Sequence, residues 1–142
     1  MAGLAARAWA TATGVDPDAE SRAALERKFL HELHENAAGV LAAESFGVLR
    51  GWGAQVPRSN LISDLWVDPA FRRQGVGARL LDALMAQILL CGFGEALVGT
   101  HADNAPAIAL YEKAGFRIDR REMEWSESLA RRVEKVHMRV RL

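Results

Sequence analysis

Three things are scarce in this chain, and each scarcity closes off a class of function. Net charge is absent, because 18 Lys and Arg residues balance 18 Asp and Glu residues. Without an overall field, nucleic acid or an acidic membrane surface is not the expected partner. Cysteine occurs once, at Cys91, which excludes an internal disulfide and any metal site built from several cysteines. Long apolar runs are missing too: no window could span a bilayer, and the opening "MAGLAARAWATATG" has no basic segment leading into an unbroken apolar stretch. Cytoplasm is the expected location. There is no repeat, low-complexity tract or linker, so the 142 residues, a usual length for one core, read as a single domain, 1–142.

What is present is ordinary globular usage, 50% apolar and 25% charged. In "DPDAESRAALERKFLHELHEN", Leu25, Phe29 and Leu33 recur at helical spacing with charge on the other faces, and Leu4 to Ala10 also reads as helix. His31 and His34 are one turn apart on that helix, but no third ligand stands nearby, and solvated histidines are the commoner reading. Val40 to Glu44 and Val48 to Gln55 flank Phe46-Gly47 as a β-hairpin, with Pro57 closing the second strand. Leu61 to Val67 is a third strand, stopped by Asp68-Pro69.

From Val76 the period changes. Leu80, Leu81, Leu84 and Ile88 line one face of a helix ending near Cys91-Gly92. Glu95 to Thr100 is short and apolar enough for a buried strand, and the intervening helix makes it a parallel neighbour of Leu61 to Val67. Asn104 and Pro106 open a second short helix that Gly115 ends, a strand starts near Phe116, and Val136, Met138, Val140 and Leu142 alternate with polar residues in a final half-buried strand.

The most informative stretch is "VDPAFRRQGVGARLLDAL". A helix start leaves backbone N–H groups unpaired and, with the helix dipole, favours anions. Gly75 and Gly77 carry no side chain to block a phosphate, and Arg72 and Arg73 can neutralise one. Taken alone, the same residues fit a glycine turn with solvated arginines. A P-loop fails, because Ala78-Arg79 follows Gly77 where Lys-Ser/Thr is needed. A dinucleotide fingerprint fails as well: Leu80 stands at the third glycine, and Asp68 to Gln74 separate the strand from the turn.

"LWVDPAFRRQGVGARLL" resembles the acyl-CoA-binding motif of the GCN5-related N-acetyltransferase (GNAT) superfamily, whose Gln/Arg-x-x-Gly-x-Gly/Ala pattern is met by Arg72, Gly75 and Gly77. "NAPAIALYEKAGF" is similar to the family's Asn-x-x-Ala-x-x-x-Tyr-x-x-x-Gly-Phe segment. The order of the two, with a helix and a strand between, makes the pair specific. The resemblance covers Leu61 to Phe116 closely and takes in the preceding hairpin. It implies an α/β fold with a mixed, centrally parallel sheet flanked by helices. Members usually begin with a strand; here helix stands in its place, so that strand is expected to be shortened or missing.

The resemblance also implies a site. Acetyl-CoA would enter where the strand Leu61 to Val67 splays from Leu97 to Thr100. Leu65, Trp66 and Val67 would line pantetheine, the backbone of Leu65 and Val67 pairing with it as with an added strand. Arg72, Arg73, Gln74, Gly75, Val76, Gly77 and Ala78 would hold the pyrophosphate, largely through N–H groups. Asn104, Ala107 and Tyr111 share a helical face that would look toward the sulfur, and Tyr111, the only tyrosine, holds the family's general-acid position. A phenol of reference pKa about 10 beside a thiol of about 8.5 can hydrogen-bond to or protonate a departing thiolate. Without the surrounding motif Tyr111 would read as a core aromatic, and Asn104 as a helix cap.

Direct transfer to a primary amine, of a small molecule or of a peptide or protein, is the implied reaction. Cys91 stands at the wrong end of its helix for an acyl-enzyme. The base that takes the amine proton stays open among Asp64, Glu44, His101, Asp103 and a water chain, since strand alternation could turn Asp64 from the cleft. Trp9, Trp52, Trp66 and Trp125 are core or dimer contacts by default, with Trp66 and Trp125 the two that could line an acceptor pocket. The C-terminal strands offer edges for a homodimer. Rival readings are a catalytically silent acyl-CoA-binding module and a nucleotide-binding oxidoreductase.

Overall fold

The computed structural model describes residues 1–142. Helices α1 (Ala2–Thr13) and α2 (Ala19–Glu35) come first, followed by β1 (Val40–Ser45), β2 (Val48–Gln55) and β3 (Leu61–Val67). Helix α3 (Val76–Leu90), β4 (Glu95–His101), α4 (Ala105–Lys113), β5 (Arg117–Ser126) and β6 (Arg131–Arg141) complete the chain. No strand precedes β1, and α1 stands where the resemblance would put one. No helix is long and apolar enough to cross a membrane.

The six strands form one sheet in the order β1-β2-β3-β4-β6-β5. β3 and β4 pair in parallel at its centre, and every other neighbour is antiparallel. A helix between two adjacent strands forces that parallel pairing, so β3-α3-β4 is the unit the sequence predicts. β6 enters between β4 and β5, which leaves β5 at the edge.

Two cores lie on opposite faces. On one, Leu81, Leu84 and Ile88 of α3 and Tyr111 of α4 meet Val98, Val136 and Met138 of the sheet. Full burial of each aliphatic side chain there contributes roughly 2 kcal/mol. On the other face Leu4, Ala5 and Trp9 of α1 and Leu25 and Phe29 of α2 cover Trp52 and Ala54. The small side chains of α1 let it lie close to its neighbours, and Asp18 caps α2 by accepting from the Ser21 amide at 2.8 Å.

One irregularity decides how the faces connect. Along β2 and β3, Ala54 pairs with Asp64 but Gln55 with Ile62, so Ser63 is an extra residue in β3 and its hydroxyl donates to the Ala54 carbonyl at 3.4 Å. A bulge of this kind reverses which face the following side chains take. Ile62 is buried in the α3/α4 core, whereas Trp66 packs on the α1/α2 side against Phe29, ring centroids 5.2 Å apart.

Candidate functional site

The bulge coincides with a parting of the sheet. Register between β3 and β4 consists of Leu61 with Leu97 and Ile62 with Val98, and pairing stops there. Beyond it β4 keeps pairing with β6 up to His101 opposite Lys135, while β3 stays with β2 to Val67 opposite Gly51. The Asp68 amide donates to the Arg50 carbonyl at 2.8 Å, which sets the phase of the β2/β3 ladder. In an antiparallel pair hydrogen-bonded partners alternate, so Trp66 and Asp64 bond to β2, and the N–H and C=O groups of Leu65 and Val67 point the other way, into the gap. These are the two residues whose backbone the resemblance implies for pantetheine.

At the open end of the gap β3 runs into a shaped loop. The Asp68 carboxylate accepts from Arg7 of α1 at 2.6 Å and from the Ala70 amide at 3.0 Å. These bonds, the Arg7 one foremost, hold its pKa below the usual carboxylate range. Arg73 and Gly75 then take positive φ, 60° and 77°, and α3 starts at Val76 with no side-chain cap. Its first-turn amides are thus left without a side-chain acceptor, the condition that favours an anion at a helix start.

The two glycines differ in purpose. At Gly75 a Cβ would meet nothing within 4 Å, so the residue serves the left-handed turn; at Gly77 a Cβ would stand 3.1 Å from a Leu110 methyl, so that glycine serves the close approach of α3 to α4. Arg72, Arg73 and Gln74 are exposed around the turn, and Ala78 is exposed in the first turn of the helix. Arg50 of β2 was not legible as a loop residue: its Nη1 donates to Gln74 Oε1 at 3.2 Å and its guanidinium lies 4.4 Å from the Phe71 ring centroid. No local pattern around "VLRGWG" signals that reach.

On the opposite face, beside the parted strands, lies a cavity of about 820 Å³. Its walls come from α1 and α2 (Trp9, Phe29, Glu32), from β2 and β3 (Trp52, Asp64, Trp66), from β4 and the turn after it (His101, Asp103, Asn104), and from β5 and β6 (Glu124, Lys135, His137). Asp64, which simple alternation would have placed with Ile62, is brought into this cavity by the bulge and accepts from Trp66 Nε1 at 3.0 Å. Asp103 and His101 join it, but Glu44, out on β1, is not part of the lining. Trp66 lines the cavity as one of the two tryptophans singled out; Trp125 does not, and is 54% exposed on the edge strand. Glu32, Trp9 and Trp52 were not foreseen as lining, because only the docking of α1 and α2 brings them there.

Electrostatics mark the cavity as well. Burial and then the nearby Asp64 charge push the Glu32 carboxyl up. Burial, then the Lys135 ammonium, push the His101 imidazole below its ordinary value, so it is neutral near pH 7 and able to accept a proton. His137 hydrogen-bonds to Glu124 and lowers that carboxyl's pKa.

On α4, Asn104 caps the helix, its Oδ1 accepting from the Ala107 amide at 3.3 Å, while its Nδ2 donates to Thr100 Oγ1 at 3.2 Å. Tyr111 is 6% exposed and packs on Phe116 with ring centroids 5.8 Å apart, so it is a core aromatic in the free protein. Burial foremost, then the charge of Asp64, push its phenol far above the ordinary value. A phenol shifted in that direction keeps its proton at neutral pH. Cys91 is exposed at the end of α3 remote from the glycine turn.

Residues 3–116 match the family described as the acetyltransferase (GNAT) family. The chain is 44% identical over 50 residues to the [ribosomal protein bS18]-alanine N-acetyltransferase of Escherichia coli (strain K12), covering 35% of this chain and 34% of that protein. It is 26% identical over 100 residues to the mycothiol acetyltransferase of Corynebacterium aurimucosum, covering 70% of this chain and 33% of that one. The matched stretches thus span about a third of these relatives' lengths. A solved GCN5-related N-acetyltransferase from Rhodopseudomonas palustris superposes with a TM-score of 0.77 at 22% identity, covering 99% of this chain and 87% of that chain, a likeness of fold.

Proposed function

Because the chain belongs to the acetyltransferase (GNAT) family, whose cofactor is acetyl-CoA, we propose that it transfers the acetyl group of acetyl-CoA directly to a primary amine. The acceptor is a small molecule or an exposed amine of a peptide or protein. The observation that carries this reading is the parting of β3 and β4 at Ser63. It leaves the Leu65 and Val67 backbone open between an uncapped helix start on one side and a cavity with basic and acidic groups on the other.

In this reading the loop amides, that of Gln74 among them, and the side chains of Arg72 and Arg73 hold the diphosphate, and the open β3 backbone holds pantetheine. A β3 N–H stabilises the oxyanion that forms when the amine attacks the thioester carbonyl. Asn104 and Ala107 keep the start of α4 against the pantetheine end. Tyr111 donates a hydrogen bond to the departing sulfur and keeps its own proton, so the thiolate takes its proton from solvent. Attack needs a neutral amine. His101 takes the ammonium proton, because its lowered pKa leaves it unprotonated at neutral pH; Asp64 and Glu32 draw the incoming cation into the cavity. β5, the edge strand with Met123 and Trp125 exposed, is the contact for a homodimer.

Incubation of the protein with acetyl-CoA and a panel of amines, from small polyamines to peptides with free N-termini, should release coenzyme A thiol with at least one acceptor. Binding of coenzyme A without thiol release for any acceptor would favour a silent acyl-CoA-binding module.

A further inference from the structure

We infer that Arg50 is a positioning residue that fixes the shape of the loop from Asp68 to Gly75 and thereby sets the affinity for the cofactor's diphosphate; this rests on the reading of that loop given above. Arg50 belongs to no motif and lies on a different strand from the loop. It nonetheless engages the loop at three points spaced along it. Its carbonyl accepts from the Asp68 amide at 2.8 Å, its guanidinium covers the Phe71 ring at 4.4 Å, and its Nη1 donates to Gln74 Oε1 at 3.2 Å.

Between the last two points stands Arg73 at φ 60°, and directly after them Gly75 at φ 77°. A non-glycine residue holds a left-handed conformation only when its surroundings over-determine it, and the Arg50 contacts are what bracket it here. The Nε of Arg50 is buried with no acceptor. A desolvated donor on a fixed cation is costly, and its position beneath an anion-binding turn gives that cost a use: it raises the potential where the diphosphate lies. Lysine could supply the charge, but its compact ammonium cannot cover the Phe71 ring and bond to Gln74 at the same time.

The test compares coenzyme A with pantetheine, which lacks the diphosphate, by NMR titration of the wild type, Arg50→Met, Arg50→Lys and Gln74→Met. Both Arg50 variants are expected to bind coenzyme A about tenfold more weakly, the scale of one lost charged hydrogen bond, with pantetheine binding and melting temperature unchanged. Gln74→Met, on an exposed side chain that does not threaten folding, should show a loss of the same order, and the double variant Arg50→Met/Gln74→Met should add little to either single one. Equal weakening toward both ligands would make Arg50 merely structural and overturn the inference. So would full recovery in Arg50→Lys, or unaltered coenzyme A binding in all three variants. A wild type that binds no coenzyme A would instead sink the reading of the loop itself, and this inference with it.

Discussion

The two faces of the central gap are built from different materials. On the α3/α4 face the candidate site is almost all backbone: two open β3 residues, a left-handed turn at Gly75 and an uncapped helix start. On the α1/α2 face it is side chains, with Glu32, Asp64, His101 and Asp103 set among Phe29 and Trp66. Backbone is the same in every sequence, so a site made from it needs only permissive residues and suits an invariant ligand. Side chains carry identity, and in the proposed function a cavity lined by them is where one acceptor would be told from another. The asymmetry explains why the backbone half leaves local marks in the sequence while the side-chain half depends on how distant elements dock.

The comparison can be broken from its side-chain half first, where the largest effect is expected. His101→Asn should lower turnover by roughly a hundredfold, within the range for losing a general base, with coenzyme A affinity intact. Because burial lowers the folded pKa of His101, the neutral form survives as pH falls past the ordinary histidine value of about 6.5. The acid limb of the wild-type rate profile should therefore lie below that value and vanish in the variant. An unchanged limb would assign the base to another group or to water.

Tyr111→Phe tests the seam between the halves. Loss of one donor to the developing thiolate should cost roughly a hundredfold in turnover and leave coenzyme A binding as it was, since the ring packing on Phe116 is retained. Wild-type rates would confine Tyr111 to the core. The smallest effect is expected on the backbone half: Gly75→Val forces a branched residue to φ 77° and should weaken coenzyme A about tenfold, from strain of about 1–2 kcal/mol, without shifting the pH profile. A change in the profile instead would mean that the two faces are not separable.

Much of the backbone half was legible in the sequence. The helical period from Val76, the glycines, the strand Glu95 to Thr100 and the Gly115 stop define β3-α3-β4-α4, because periodicity and backbone-permissive residues leave local marks. The less legible features are non-local. "LISDLWV" reads as a regular strand, and nothing in it marks Ser63 as the extra residue that swings Asp64 into the cavity. Arg50 reaches its loop across a neighbouring strand, and Trp9, Trp52 and Glu32 become lining only after α1 and α2 dock. Gly77 was visible as a glycine, but its partner Leu110 belongs to a helix more than thirty residues on.

Amide hydrogen exchange at Leu65 and Val67, with and without coenzyme A, tests the central claim most directly. Their N–H groups face the gap, so they should exchange quickly in the free protein and become protected when coenzyme A binds, while the β2-bonded amides of Asp64 and Trp66 are slow in both states. Protection of Leu65 and Val67 already in the free protein, or none on binding, would contradict the account.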